Sequence, residues 1–169
     1  MQVGDYLIDF EHPLGTGRFS RVYSGTSING ESVAVKVFKS EWVDDADQEI
    51  RNLQRLSGGT HPCVLRHIDI LVNSHISSAP MIVFPLLGPD MLTLIRWRYG
   101  LRDMQLTEPT MGLPWWLVAK CAQDILEGVA EYHRLGLMHC DIKPENIMLS
   151  KPFNGVEELV AAPKDSWNV

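Results

Sequence analysis

The sequence has 169 residues, with 15 Lys and Arg against 21 Asp and Glu, so its formal net charge is −6. This length suits one domain or a piece of a larger one. The hydrophobic content of 45% and the charged content of 21% are typical of a folded globular chain and exclude extensive disorder. An acidic chain lacks the basic surface of a general nucleic-acid binder, so we predict no direct contact with nucleic acid.

Cysteine use and hydropathy argue against a secreted or membrane-spanning protein. The three cysteines, Cys63, Cys121 and Cys140, are too few and too scattered for a secreted disulfide framework. The first residues show no basic segment followed by an apolar run, and apolar stretches such as 81–87 are far too short to span a bilayer. We expect a soluble protein of the cytoplasm or nucleus that makes no membrane contact. The sequence gives no indication of oligomeric state.

The first third of the chain predicts a small antiparallel meander. Asn29 and Gly30 both tolerate the positive φ of a type I′ turn, so they predict a tight hairpin. In the strand that follows, Val33, Val35 and Val37 share one face, as alternation in a half-buried strand requires. The predicted strands cover residues 6–10, 21–25 and 32–38, with a glycine-containing turn over 14–20.

Helices and two more strands follow. Asp44 or Asp45 is expected to cap a helix that Gly58 and Gly59 end, and alternation then returns around residues 68–72 and 81–84. After Asp90 the chain reads as helical, over 91–97 and, beyond a polar loop at 100–112, over 114–133. We predict an irregular tail over 150–169. The apolar stripe predicted for the long helix is Val118, Cys121, Ile125, Val129 and Tyr132.

Two features of the first third are weak signals by themselves. Gly15 and Gly17 lie between two predicted strands, which excludes a Rossmann fingerprint or a Walker loop, because both open a helix. Such a turn can lower its amides onto an anion, but most hairpin glycines serve only the turn. Lys36 interrupts an apolar strand, and Glu49 on the next helix is a candidate partner; the bland alternative is a snorkelling lysine and a solvated glutamate.

The segment 139–146, His-Cys-Asp-Ile-Lys-Pro-Glu-Asn, changes this balance. Asp141, Lys143 and Asn146 place a carboxylate, an ammonium and a carboxamide in one loop, and these are the groups that phosphoryl transfer needs. The segment resembles the catalytic loop of eukaryotic protein kinases. The glycine turn, the Val-Ala-Val-Lys strand ending at Lys36 and the helix residue Glu49 occur in the order that this family shows.

The finer resemblance is to the SR-protein kinases among the serine/threonine kinases. Residues 83–88, Val-Phe-Pro-Leu-Leu-Gly, resemble their hinge, and the 139–146 loop differs from theirs only at Cys140. The resemblance implies an α+β protein-kinase-like fold, incomplete in this chain. It would comprise an antiparallel-sheet N-lobe over 1–87 and the first helices of a mainly helical C-lobe over 88–149. It also implies ATP and magnesium as cofactors, and a protein substrate that is serine/arginine-rich.

The resemblance implies a chemical role for each matching residue. Lys36 would hold the α- and β-phosphates of ATP, oriented by Glu49. Asp141 would accept the proton of the substrate hydroxyl. Lys143 would neutralise the γ-phosphate, and Asn146 would bind a magnesium ion.

The nucleotide itself would be held by the N-lobe and the hinge. Phe84 would line the back of the adenine pocket, and backbone groups of Leu86 and Leu87 would hydrogen-bond the adenine. Asp90 would approach the ribose. The predicted ATP-binding residues are Leu14, Gly15, Thr16, Gly17, Arg18, Phe19, Ser20, Val22, Ala34, Lys36, Glu49, Phe84, Leu86, Leu87 and Asp90.

The sequence departs from the family pattern at several positions. Ser20 replaces the third glycine of the turn, and Pro85 replaces an acidic hinge residue, which removes one amide but no carbonyl. Cys140 stands where most kinases have an arginine that reads a phosphorylated activation loop, which suggests activity independent of such a phosphate. No Asp-Phe-Gly or Ala-Pro-Glu follows Asn146, and Asp165 is a poor substitute. We therefore expect a truncated kinase that is a poor catalyst.

Three other interpretations compete with the kinase. A zinc site at His61 and Cys63 or at His139 and Cys140 is disfavoured, because the spacings are not those of zinc ligands. The Arg-Trp-Arg-Tyr run at 96–99 could stack on nucleic acid, but it is more typical of a packed helix with solvated arginines. The serious rival is a non-catalytic module that binds a nucleotide or a partner.

Overall fold

A computed structural model of the chain describes residues 1–57, 61–72, 80–99 and 113–169. The chain divides into two compact units. The first comprises Met1–Thr60 and Leu65–Leu86, and the second comprises His61–Val64 and Leu87–Val169. The predicted helix end at 58–59 and the loop at 100–112 lie outside the described residues.

The first unit contains the antiparallel sheet that the sequence predicts. Its spatial order is β1-β2-β3-β4-β6-β5, and each neighbouring pair is antiparallel. The second strand is longer than expected, because it continues into the predicted turn region as far as Thr16, with register shifts on either side of Pro13. The strands are β1 (Gln2–Val3), β2 (Tyr6–Thr16), β3 (Ser20–Ser27), β4 (Ser32–Phe38), β5 (Asp69–Leu71) and β6 (Met81–Pro85).

The hairpin between β3 and β4 forms, but its turn is not type I′. Gly30 has a φ of +84°, whereas Cys140 is the only non-glycine residue with positive φ in the described part of the chain. The amide of Gly30 donates to the carbonyl of Ser27, and the amide of Ser27 donates to that of Glu31. The expectation for Asn29 was therefore wrong, because a four-residue connection needs only one left-handed residue, and glycine supplies it.

One face of the sheet carries the core of the first unit. Val33 and Val35 are fully buried, and Val37 packs against them, as the alternation predicts. Helix α1 (Val43–Leu56) follows a single 3₁₀ turn at Ser40–Trp42. Asp44 and Asp45 lie inside its first turn and neither caps it, because the 3₁₀ turn moves the helix start ahead of them. There they still favour the helix electrostatically.

The second unit is mainly helical, with helices α2 (Met91–Tyr99), α3 (Trp115–Arg134) and α4 (Val156–Ala161). Residues 88–91 pair with 147–149 through backbone hydrogen bonds. None of the described helices is long and apolar enough to cross a membrane. The buried apolar cluster of this unit comprises Leu94, Leu117, Cys121, Leu149, Phe153, Leu159 and Trp167.

The buried stripe of α3 differs from the predicted one. Val118 is 41% exposed, while Cys121 is buried as expected. Two acidic residues, Asp124 and Glu131, occupy interior positions. Each has a cationic partner, Lys120 at 2.9 Å for Asp124 and Arg134 at 2.7 Å for Glu131, and the prediction failed because hydrophobicity alone does not reveal such pairs. The buried positions of the helix are Leu117, Cys121, Asp124, Gly128 and Glu131.

The last twenty residues are not an irregular tail. They contain α4, and Phe153, Leu159 and Trp167 from this segment are buried. The amide of Ser150 donates to the carbonyl of Asn168, and the amide of Asn168 donates to the Ser150 hydroxyl oxygen. The two ends of the segment are therefore hydrogen-bonded to each other, and its apolar side chains pack into the core of the second unit.

Candidate functional site

Four of the predicted nucleotide-binding residues share one face of the sheet. Val22 is the register partner of Lys36, and Ala34 is the partner of Phe84. Directly opposite residues of an antiparallel pair project to the same side, as do residues two apart on one strand. The side chains of Val22, Ala34, Lys36 and Phe84 therefore lie on the face opposite the buried valines of β4.

Lys36 forms the ion pair with Glu49 that the sequence suggests. Its Nζ lies 2.6 Å from both Oε1 and Oε2 of Glu49 on α1. The two side chains are 25% and 34% exposed. The pair is partly desolvated, which strengthens it relative to a surface pair and fixes the ammonium beside the sheet face.

The glycine turn connects β2 and β3 without needing glycine for its own geometry. Neither Gly15 nor Gly17 has a positive φ. A Cβ atom at Gly15 would meet nothing within 4 Å, and one at Gly17 would make only ordinary contact, 3.6 Å from the carbonyl oxygen of Ser20. The space above the turn is thus open, which suits close approach of a ligand to the backbone.

The hinge residues fall at the boundary between the units. Leu86 belongs to the first unit and Leu87 to the second. The amide of Leu86 donates to the carbonyl of Ser32 over 3.2 Å. The amide of Leu86 is therefore already engaged, and the predicted hydrogen bond between Leu86 and an adenine ring would have to use its carbonyl oxygen.

The second unit brings together the three residues predicted for chemistry. Lys143 Nζ lies 3.0 Å from Oδ2 of Asp141, and Asn146 Nδ2 donates to the same oxygen over 2.7 Å. Asn146 also donates to the backbone carbonyl of Asp141 over 2.8 Å. The hydrogen bonds from Lys143 and Asn146 lower the pKa of Asp141 below its ordinary value near 3.8. Its carboxylate is therefore ionised at neutral pH.

The local backbone holds Asp141 in this position. Cys140 adopts a left-handed φ of +60°, and the amide of Asp141 donates to Nδ1 of His139 over 3.3 Å. The His139 ring packs against Tyr132 of α3 at a centroid distance of 5.3 Å. His139 thus supports the loop, and Asn146 ends the short 3₁₀ turn Pro144–Asn146.

Asp90 has a structural role that sequence reasoning missed. Its Oδ1 accepts the amide of Thr93 over 2.6 Å, which is the geometry of a side-chain cap at the start of α2. Asp90 also pairs with Met148 in an isolated antiparallel bridge. The sequence did offer a signal for this cap, because Asp90 directly precedes the apolar segment that forms α2. The ribose contact stays a prediction for its remaining oxygen.

The side chain of Asn146 suits the magnesium ion of a bound nucleotide. The amide hydrogens of Asn146 point to Asp141, so its Oδ1 remains as a hard oxygen ligand. Magnesium takes one or two protein oxygens together with phosphate and water oxygens, so one carboxamide is a fitting partial ligand set. Within the described residues, no cluster of three or more His, Cys, Asp and Glu could hold a metal ion by itself.

One lysine near the glycine turn was missed. Lys39 follows β4 and its Nζ contacts two backbone carbonyls of the turn. A lysine at a strand end is ordinarily solvated, so no sequence signal distinguished it.

The structure thus forms two constellations, the Lys36–Glu49 pair in the first unit and the Asp141–Lys143–Asn146 loop in the second. The chain matches the family model described as Protein kinase domain over residues 8–156, and it belongs to this family. The resemblance that the motifs indicate is therefore confirmed at the level of the protein kinases.

Curated relatives carry the same family assignment. The chain is 30% identical over 147 residues to serine/threonine-protein kinase SBK2 of Rattus norvegicus, which covers 86% of this chain and 37% of that protein. It is 33% identical over 148 residues to serine/threonine-protein kinase dkf-2 of Caenorhabditis briggsae, covering 86% and 11%. It is 29% identical over 163 residues to serine/threonine-protein kinase SKY1 of Saccharomyces cerevisiae, covering 88% and 21%. The chain thus spans less than two fifths of these relatives.

Proposed function

We propose that the chain serves in ATP-dependent phosphorylation of serine or threonine in a protein. The observation that carries this proposal is the loop in which Lys143 and Asn146 both hydrogen-bond the Asp141 carboxylate. A module that only binds a nucleotide or a partner has no need for all three side chains in this arrangement.

Each residue has a defined part in the proposed reaction. Asp141, ionised at neutral pH, accepts the proton of the attacking hydroxyl, and Lys143 neutralises charge on the transferred phosphoryl group. Lys36, held by Glu49, binds the α- and β-phosphates. Asn146 would help to hold a magnesium ion, which when bound would neutralise charge at the phosphates. The product is a phosphoester, with ADP as the leaving group.

We further propose a serine/arginine-rich substrate. The 139–146 loop differs from the SR-protein kinase pattern only at Cys140, and the chain carries a net charge of −6. An acidic protein attracts a basic, arginine-rich peptide and speeds their encounter. We also propose residence in the cytoplasm or nucleus, a reducing setting that suits three free cysteines.

Binding of magnesium-ATP by the purified chain is the first test. At a hundred times the dissociation constant, the nucleotide is expected to raise the unfolding free energy by about 2.7 kcal/mol. Lys36→Met should abolish the thermal shift, whereas Lys151→Met, which removes an exposed lysine elsewhere, should preserve it. Absence of any shift in the unaltered chain would refute nucleotide binding.

Phosphate transfer is the second test. Incorporation of radioactive phosphate into a serine/arginine peptide, with Asp141→Asn as the inactive control, would support the kinase. A shift with magnesium-ATP but no transfer to this or a generic serine/threonine peptide would instead identify a non-catalytic nucleotide-binding module. Transfer to the generic peptide alone would refute the serine/arginine preference.

A further inference from the structure

We propose that Lys39 and Trp42 are positioning residues that hold the glycine turn with its backbone amides directed toward nucleotide phosphates. This inference rests on the proposed function for its ligand. It concerns only contacts within the first unit, and neither residue belongs to the motifs that indicated the family.

Lys39 engages three consecutive carbonyl groups of the turn. Its Nζ donates to the carbonyl oxygens of Gly17 over 3.0 Å and Arg18 over 2.7 Å. Its backbone amide donates to the carbonyl oxygen of Phe19 over 3.0 Å. One residue therefore orients three successive peptide groups.

The geometry of the peptide group fixes the direction of the amides once the direction of the carbonyls is known. In a planar trans peptide the carbonyl of one residue and the amide of the next point in opposite directions, and the described part of the chain contains no cis peptide. Because the carbonyls of Gly17 and Arg18 face Lys39, the amides of Arg18 and Phe19 face away from it. Successive amides pointing one way form a concave site for anionic oxygens.

Trp42 holds the side chains of the same turn. The ring centroids of Phe19 and Trp42 are 4.6 Å apart at an interplanar angle of 85°, an edge-to-face contact. The guanidinium carbon of Arg18 lies 5.3 Å from each of these two rings. The amide of Trp42 donates to the carbonyl of Lys39, so one backbone turn presents both positioning residues.

The orientation of the turn should affect the affinity only for ligands that carry phosphate. With the turn already oriented, less conformational freedom is lost when phosphates bind, so ATP binds more tightly. Adenosine makes no phosphate contact and gains nothing from the orientation. Loss of Lys39 should therefore weaken binding of ATP and leave that of adenosine unchanged, a pattern that general destabilisation would not produce.

The experiment measures nucleotide affinity and amide hydrogen exchange in the full chain. Lys39→Met is expected to weaken magnesium-ATP binding by about threefold to tenfold, the effect of losing exposed hydrogen bonds, with adenosine affinity unchanged. Lys39→Arg, which retains a charged donor, should largely restore it, and Lys151→Met should bind as the unaltered chain does. Without nucleotide, Lys39→Met and Trp42→Leu should both accelerate exchange in the peptide covering residues 15–20.

The outcomes separate this inference from the proposed function. Unchanged ATP affinity and unchanged exchange in Lys39→Met would overturn the inference, even if the unaltered chain binds ATP. Equal losses for ATP and adenosine would also overturn it, since they indicate a structural defect. If the unaltered chain binds no ATP, the proposed function and the ligand of the turn both fail, and faster exchange would then support only the orientation of the turn.

Discussion

At the scale of single residues, Asp141 owes its low pKa to two donors. Hydrogen bonds from Lys143 and Asn146 hold the carboxylate in its charged form. Its pKa is lower in the folded chain than in the unfolded chain, so folding favours the deprotonated state. The resulting stabilisation is complete above the ordinary carboxyl pKa near 3.8 and is lost as the pH falls through the lower folded value.

Lys143→Met is expected to raise the pKa of Asp141 toward that ordinary value, because it removes the hydrogen bond that lowers this pKa most. A carbon-detected NMR titration of the carboxyl group measures this directly. Lys151→Met, which removes the same charge from an exposed position, should leave the titration in place. An unchanged midpoint in Lys143→Met would contradict the hydrogen bond at 3.0 Å.

The sequence predicts which residues form the two constellations, but not every contact that supports them. Lys36, Glu49, Asp141 and Asn146 follow from motif order, because their chemistry recurs at fixed spacing. Lys39 does not follow, because its partners are backbone carbonyls brought close only by the β2–β3 turn. Side-chain contacts to backbone leave no periodic trace in a sequence.

At the scale of elements, a buried ion pair within α3 also contacts residues 167–169. Asp124 Oδ2 accepts from Lys120 over 2.9 Å and from the amide of Val169 over 3.0 Å. The ammonium of Lys120 lies 4.8 Å from the ring centroid of Trp167. The segment 167–169 is therefore held to the helix by charge, hydrogen bonding and aromatic contact together.

Asp124→Ala is expected to lower the free energy of unfolding by about 3 kcal/mol, because it leaves a half-buried ammonium and an amide without their partner. Urea denaturation measures the change. Gln123→Ala, at a neighbouring exposed position of α3, should shift the free energy by less than about 0.5 kcal/mol. Similar effects for the two variants would mean that the pair contributes little.

Two glycines should differ in their sensitivity to the same added methyl group. At Gly88 the new Cβ would overlap the backbone carbonyl of Lys151, while at Gly15 it would meet open space. We expect Gly88→Ala to destabilise the fold by about 2 kcal/mol or more and Gly15→Ala to be nearly neutral in thermal denaturation. Equal melting temperatures would contradict the close approach of residues 88 and 151.

Helices and strands were predictable where the spacing of apolar residues is regular, and less so where polar groups determine which face is buried. The strands β3, β4 and β6 and the helices α1 to α3 follow from period and turn residues. Helix α4 was missed, because six residues are too short for a period to show. The stripe of α3 was misplaced, because Asp124 and Glu131 are buried only by virtue of their partners.

At the scale of the whole molecule, α3 also presents an exposed apolar face. Trp115, Val118 and Leu126 are 82%, 41% and 69% exposed and lie on one side of the helix. Exposed apolar patches of this kind favour association. The net charge of −6 opposes it, and that repulsion disappears near the isoelectric point of about 5.4.

Trp115→Lys is expected to weaken self-association by about tenfold, because large aromatic residues dominate such contacts. Sedimentation velocity at several concentrations measures this, and the difference should be largest near pH 5.4. Arg96→Lys, which preserves charge and exposes no new apolar surface, is the control. Identical sedimentation of Trp115→Lys and the unaltered chain would exclude this face as the source of association.

The placement of tryptophans gives the protein an internal optical probe. Of its five tryptophans, Trp42 alone belongs to the first unit, where it is partly exposed and contacts Phe19 and Arg18 of the glycine turn. Trp167, which is 1% exposed, is shielded from solvent. Subtracting the emission of a Trp42→Phe variant from that of the unaltered chain therefore isolates light that comes from beside the turn. The same indole that steadies the turn can report its movement without an attached dye.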